Sequence, residues 1–230
     1  MLSEISVVEM KARYDEIASA NVFDVLDSLG MPNQCLDVGI RPLRWEMHVA
    51  GPAFPICGIR EPRVREELDR PQFKNWGQFK AMTPCCVVVI NAEKEGTTGQ
   101  WGEMMSWTAK QHGASGIVID GGTRDRMGIL QIPNWACFCR YTSPVESYKR
   151  WRPVEFSAPI FVSGTLTRLI RVNPGDWIVG DADGVMVIPK ELAYEVLIKA
   201  EEIEAKERSQ RADLLAGMSM MEVYKKYGRM

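Results

Sequence analysis

The sequence predicts an α/β fold, and three stretches carry that prediction. Residues 85–90, CCVVVI, form an unbroken apolar run between Pro84 and Asn91, as expected of a strand covered on both faces. The polar loop NAEKEGTTGQWG follows and opens into a helical stretch from Glu103 to His112, EMMSWTAKQH. A second apolar run, Ile117-Val118-Ile119, delivers Asp120 to a Gly121-Gly122 bend, with Thr123, Arg124 and Asp125 immediately after it. Strand, loop, helix and strand in that order make a βαβ unit.

The other elements follow along the chain. Residues 4–30 read as two helices. In the second, SANVFDVLDSLG, Val22, Leu26 and Leu29 share a face, Ser19 or Asn21 is placed to cap the start, and Gly30 stops it. Alternation from Ile40 to Cys57 predicts two short strands around a Gly51-Pro52 turn. The charged stretch that follows Cys57, punctuated by Pro62 and Pro71, suits a surface excursion with a helical portion. Beyond the Arg-Asp turn come a strand at 137–141, a loop through 153, and a strand pair between Phe156 and Val172. Asn173-Pro174-Gly175-Asp176 reads as a turn, and strands at 177–179 and 185–188 flank a hairpin connection. A long charged helix from Glu191 to Ala216 and a short one from Met220 to Tyr227 end the chain.

This order divides the chain into an α/β part over 1–190, N-terminal helices included, and a helical arm over 191–230. Within the arm, AEEIEAKERSQRAD offers few apolar positions, so the arm is expected to pack on a neighbouring subunit. A solvated surface helix is the alternative.

Composition removes several function classes. A formal net charge of -2 provides no basic face for nucleic acid. No apolar run approaches the roughly 20 residues of a spanning helix, and MLSEISVVEMKARYDE mixes acids into the N-terminus, unlike a signal peptide. A cytoplasmic protein with neither nucleic acid nor membrane as partner is expected. The six cysteines form no CxxC pair and read as buried free thiols, and His48 and His112 lack the spacing of a zinc pattern. There is no G-x-G-x-x-G, no G-x-x-x-x-G-K-[ST] and no G-x-S-x-G. Lys94, Lys110 and Lys190 lie outside the expected buried strands, which leaves no desolvated lysine for a Schiff base.

Oxygen-ligand metal chemistry remains. Glycines at a strand end let the backbone approach a small ligand. Arg124 is a fork of donors for a carboxylate, and Asp125 an oxygen ligand for a hard cation. The N-terminus of the 103–112 helix offers backbone N–H groups to an anion. A plain strand-to-helix turn with a surface Arg-Asp pair also accounts for these residues.

The segments GQWGEMMSWTAKQHGASGIVIDGGTRD, CRYTSP and VNPGDWIVGDADGVMVIP, with the earlier DVLDSLG and VAGPAF, resemble a known family. It is that of the class II pyruvate aldolases that cleave 4-hydroxy-4-methyl-2-oxoglutarate and 4-carboxy-4-hydroxy-2-oxoadipate, built on the fold of RraA, the regulator of ribonuclease activity. The resemblance spans most of residues 20–190. It implies an RraA-like layered α/β sandwich of the swivelling β/β/α type, with N-terminal helices and a C-terminal helical arm, assembled as a homotrimer or homohexamer.

By position it makes Asp125 the ligand of a divalent cation, Mg²⁺ or Mn²⁺, and sets Arg124 against the keto-acid end of the substrate. The backbone at Gly102, Glu103, Met104 and Met105 would receive the pyruvyl carboxylate, and Glu103 would orient a catalytic water. A second acid would come from the arm of an adjacent subunit, with Glu207 favoured among Glu201, Glu202, Glu204 and Glu207. The implied reaction is retro-aldol cleavage of a 4-hydroxy-2-keto acid to pyruvate, with oxaloacetate decarboxylation through the same enolate. Three departures, Cys85-Cys86 in place of the family's common Gly-Asp, a longer run from Phe156 to Val172 and the distinctive 59–80 excursion, bear on the far end of the substrate. The same resemblance leaves open a regulator that binds a ribonuclease without catalysis.

Overall fold

A computed structural model describes residues 5–61, 77–93 and 95–228 of the chain. Most of the excursion expected at 59–80 lies outside the described residues. The N-terminal part folds as α1 (Val7–Tyr14) and α2 (Ser19–Ser28). Ser6 caps α1 by accepting the Glu9 N–H at 3.1 Å. The expected cap of α2 is different: its N-cap is Ala18, whose methyl can accept no hydrogen bond. Asp181, from a distant hairpin, accepts the Ser19 N–H at 2.7 Å and the Ser19 hydroxyl at 2.6 Å instead. A long-range carboxylate thus does what a local side chain was expected to do.

The sheet is built from β1 (Arg41–Pro42), β2 (Val49–Arg60), β3 (Val87–Asn91), β4 (Gly99–Trp101), β5 (Gly116–Thr123), β6 (Ala136–Thr142), β7 (Trp151–Phe156), β10 (Trp177–Gly180) and β11 (Val185–Ile188). Its order is β1-β6-β5-β3-β2-β10-β11, with β4 beside β5 and β7 beside β2. Strands β2, β3, β5 and β6 run parallel, and β8 (Ile160–Ser163) and β9 (Leu169–Val172) form a separate hairpin. The short helix α3 (Gly77–Lys80) precedes β3, while α4 (Glu103–Gln111) and α5 (Arg126–Ile129) flank β5. The predicted βαβ unit is present as β3, β4, α4 and β5.

Two expectations are corrected in β2 and β7. Gly51-Pro52 is no turn: it lies within the 12-residue β2, whose start pairs with β10 and whose middle pairs with β3. Gly51 has φ 154°, and a Cβ there would fall 2.0 Å from the Cys85 carbonyl oxygen, so the glycine serves close backbone approach. The loop expected through 153 gives way at Trp151 to β7, whose Trp151 ring covers Gly58.

Among the described residues two apolar cores result. One lies around β2, β3, β5 and β6 and contains Val87, Val88, Val89, Ile117, Val118, Ile119 and Phe138. The other joins α1, α2, β10 and β11 to the start of α6 (Ala193–Leu215), where Val196, Leu197 and Ala200 are fully buried. From Glu201 onward α6 makes polar contacts: Glu201 with Arg13, Glu204 with Asn21. The last helix, α7 (Met220–Tyr227), folds back so that Asp213 accepts from Lys226 and Tyr227. All six cysteines are free thiols; Cys86, Cys137 and Cys139 are buried and the other three half-buried. Among the described residues no helix is long and apolar enough to cross a membrane.

Candidate active site

Parallel strands deliver their C-terminal ends to one edge of a sheet, and the loops there are where an α/β fold places its ligands. At that edge β5 ends at Thr123, and β4 runs beside it. The Thr123 hydroxyl and the Arg124 N–H both donate to the Trp101 carbonyl, at 2.7 and 2.9 Å. A Cβ at Gly99 would meet the Arg124 nitrogen at 2.8 Å, and one at Gly102 would meet Asp125 Oδ2 at 2.7 Å. The glycines of the 99–102 strip therefore let Arg124 and Asp125 close directly onto it.

Asp125 opens α5 in the left-handed conformation, φ 60° and ψ 37°. A non-glycine residue there costs about 1 kcal/mol or more, and Asp tolerates it better than most. This backbone turns the Asp125 carboxylate toward the start of α4, where the Glu103 N–H faces Oδ2 at 3.4 Å. Arg124 Nε stands 3.4 Å from Oδ1. Both contacts are long, so the carboxylate, 41% exposed, keeps lone pairs for another partner. The N-cap of α4 is Gly102, with no side chain to occupy the first-turn N–H groups. Met104 is exposed, and Glu103 and Met105 are half-buried. An open cation ligand, a guanidinium and a bare helix N-terminus thus share one edge.

The RraA-like family model, described as Aldolase/RraA, matches residues 19–187. This chain belongs to the RraA-like family. A relative from Halalkalibacterium halodurans named "Putative 4-hydroxy-4-methyl-2-oxoglutarate aldolase" is 32% identical over 222 residues, covering 94% of this chain and 95% of that protein. Protein DlpA of Legionella pneumophila is 28% identical over 210 residues, and there the match covers 91% of this chain but 32% of the relative. The chain spans about a third of the length of that relative. Among solved structures, Streptomyces coelicolor RraAS2, described as an unusual member of the RNase ES inhibitor RraA protein family, superposes with a TM-score of 0.74 at 25% identity. That superposition covers 91% of this chain and 98% of RraAS2.

In this RraA-like chain the residues singled out from sequence fall into two places. Gly102, Glu103, Met104, Met105, Arg124 and Asp125 come together at the sheet edge. Glu207 does not join them within one chain: it lies on α6, with Oε2 3.4 Å from the Asn21 amide nitrogen.

Sequence reasoning passed over the group that shapes the loop. Glu95 is buried, 5% exposed. Its Oε1 accepts from the Thr97 N–H at 3.1 Å and from the Thr97 hydroxyl, and its Oε2 from the Thr98 N–H at 2.9 Å, the Thr98 hydroxyl at 2.8 Å and Gln100 Nε2 at 2.8 Å. Burial pushes its pKa up, but the Thr97 and Thr98 hydroxyls and N–H groups outweigh that and hold it down at about 2. Gln100 Oε1 in turn accepts the Gly122 N–H at 2.6 Å, and the Tyr141 hydroxyl donates to the Glu95 and Thr98 carbonyls. An acid followed at two and three residues by threonines was the available signal. Asp120, prominent in the motif, is 2% exposed and structural, accepting from Arg140 Nε at 2.5 Å and the Ser163 N–H at 3.0 Å.

For a metal, the donor set fits one class of ion. Among the described residues no three His, Cys, Asp or Glu side chains assemble around a point, so no protein cage exists. One exposed carboxylate without a protein cage suits a hard cation that keeps most of its waters, as Mg²⁺ and Mn²⁺ do.

Proposed function

We propose that this chain is a divalent-metal-dependent lyase, a class II aldolase that cleaves a 4-hydroxy-2-keto acid to pyruvate and also decarboxylates oxaloacetate. The observation that carries this reading is the Asp125 carboxylate held open, beside Arg124, at the uncapped start of α4. A name carried by the Halalkalibacterium relative agrees with it.

In this reading the N–H groups at Gly102, Glu103, Met104 and Met105 hold the substrate carboxylate, with the α4 dipole adding attraction. Arg124 donates to the keto oxygen. Asp125 holds the cation, Mg²⁺ or Mn²⁺, which when bound supplies Lewis-acid polarisation of that oxygen. A base takes the C4-hydroxyl proton, directly or through a water held by Glu103. As the C3–C4 bond breaks, its electron pair moves into the enolate of pyruvate, whose oxygen faces the Arg124 guanidinium; the carbonyl product leaves, and a proton delivered to C3 completes pyruvate. Oxaloacetate shares the keto-acid half, so loss of carbon dioxide reaches the same enolate without a C4 hydroxyl.

The division into an α/β catalytic part over 1–190 and an arm over 191–230 belongs to the same reading. The arm of one subunit brings Glu207 to the site of the next in a cytoplasmic homotrimer or homohexamer. The likeness to RraAS2 favours a second reading, a regulator that binds a ribonuclease without catalysis. Pyruvate release from oxaloacetate and from 4-carboxy-4-hydroxy-2-oxoadipate, with and without Mg²⁺, separates the two. Metal-dependent release by the wild type that is lost in Asp125→Asn supports the lyase. No release from either keto acid, with no Mg²⁺ binding by calorimetry, supports the regulator.

A further inference from the structure

Glu103 opens α4, and Gly128 is the third residue of the single turn α5, whose N-cap is Asp125. A Cβ at Gly128 would lie 2.1 Å from Glu103 Oε2, 2.3 Å from Cδ and 2.9 Å from Cγ. The Glu103 side chain therefore lies flat on the bare Cα of Gly128. No described residue donates a hydrogen bond to this carboxylate, so shape rather than bonding sets its place. Gly128 has no positive φ to explain the glycine, and in a helical turn alanine is otherwise the better residue. The adjacent Ile129 is fully buried and its N–H bonds to the Asp125 carbonyl at 3.0 Å, which anchors the turn beneath the carboxylate.

We propose that Gly128 is a positioning residue: its missing side chain leaves the slot that holds the Glu103 carboxylate over α5, where it orients the water that takes the C4-hydroxyl proton. This rests on the lyase reading above. An alanine at 128 fits the backbone, and the atoms it meets are the end of a flexible side chain, so the fold is kept and the carboxylate is displaced.

The test is Gly128→Ala assayed on both substrates. Retro-aldol kcat falls tenfold or more with KM changed less than threefold, and thermal stability is not lowered. Oxaloacetate decarboxylation, which removes no hydroxyl proton, stays within threefold of wild type. In a Glu103→Gln background the same substitution changes aldol turnover less than twofold, because the group it displaces is already gone. The proposal is overturned if Gly128→Ala leaves aldol cleavage within twofold, lowers both reactions alike, or acts equally in the Glu103→Gln background. Should the wild type cleave no keto acid at all, the lyase reading fails and with it the water-orienting role. The slot itself is then read from the NMR signal of the Glu103 carboxyl carbon, which shifts in Gly128→Ala if the carboxylate is held there and stays put if it is not.

Discussion

The backbone nitrogen of Glu103 stands 3.4 Å from Oδ2 of Asp125, so the first N–H of α4 faces the carboxylate that opens α5. Two helix starts, one a donor surface and one a ligand, meet there because Gly102 between them has no side chain. A methyl at 102 would sit 2.7 Å from that carboxylate oxygen. Gly102→Ala is expected to push Asp125 off the helix start and to weaken Mg²⁺ binding at least tenfold, as read by calorimetry. Unchanged binding would show that Asp125 holds no cation in this place.

Arg124 is 35% exposed at the side chain, and its contact with Asp125 is long, 3.4 Å from Nε to Oδ1. Arg124→Ala should cost about 3 kcal/mol of transition-state stabilisation, in line with deletion of an oxyanion donor. Steady-state kinetics on oxaloacetate checks this, and a loss in kcat under tenfold contradicts the assigned role. Arg124→Lys, which keeps charge but not the fork, should recover only part of the activity.

Glu95 predicts an acid limb in stability. Its carboxyl is lowered from 4.5 to about 2 in the folded protein. A group so depressed contributes stability that is present above its unfolded value and is lost as pH falls through the folded one. The contribution is about 3 kcal/mol at neutral pH, fading between roughly pH 4.5 and 2. Urea unfolding across that window should show the decline in wild type and a flatter profile in Glu95→Gln, which starts less stable at pH 7. Equal profiles would mean the loop is not held by this carboxylate.

The cap supplied to α2 by Asp181 is expected to contribute about 1 kcal/mol, the usual size for an N-cap. Asp181→Ala should lower the urea midpoint accordingly while leaving oxaloacetate turnover unaltered, since the α2 start and the site lie on different elements. A matching loss on Ser19→Ala of the hydroxyl half alone should be smaller, because the Ser19 N–H keeps its partner.

Periodicity and punctuation carried much of this fold. The apolar run before Asn91, the helix from Glu103 and the run before Gly121-Gly122 were legible because each is a local pattern, and a parallel βαβ unit must bring its strand ends to one edge. The family resemblance, rather than periodicity, then set Gly102 to Met105 together with Arg124 and Asp125. Tertiary structure decided what joins distant positions: Asp181 capping Ser19, Cys85 crossing Gly51, Arg140 pairing with Asp120, and the Glu103 carboxylate lying in the gap at Gly128. No periodicity marks such contacts. Whether a glycine is a bend, a crossing or a slot depends on which atoms arrive from elsewhere, and steric exclusion at that point is a property of the packed chain rather than of the segment.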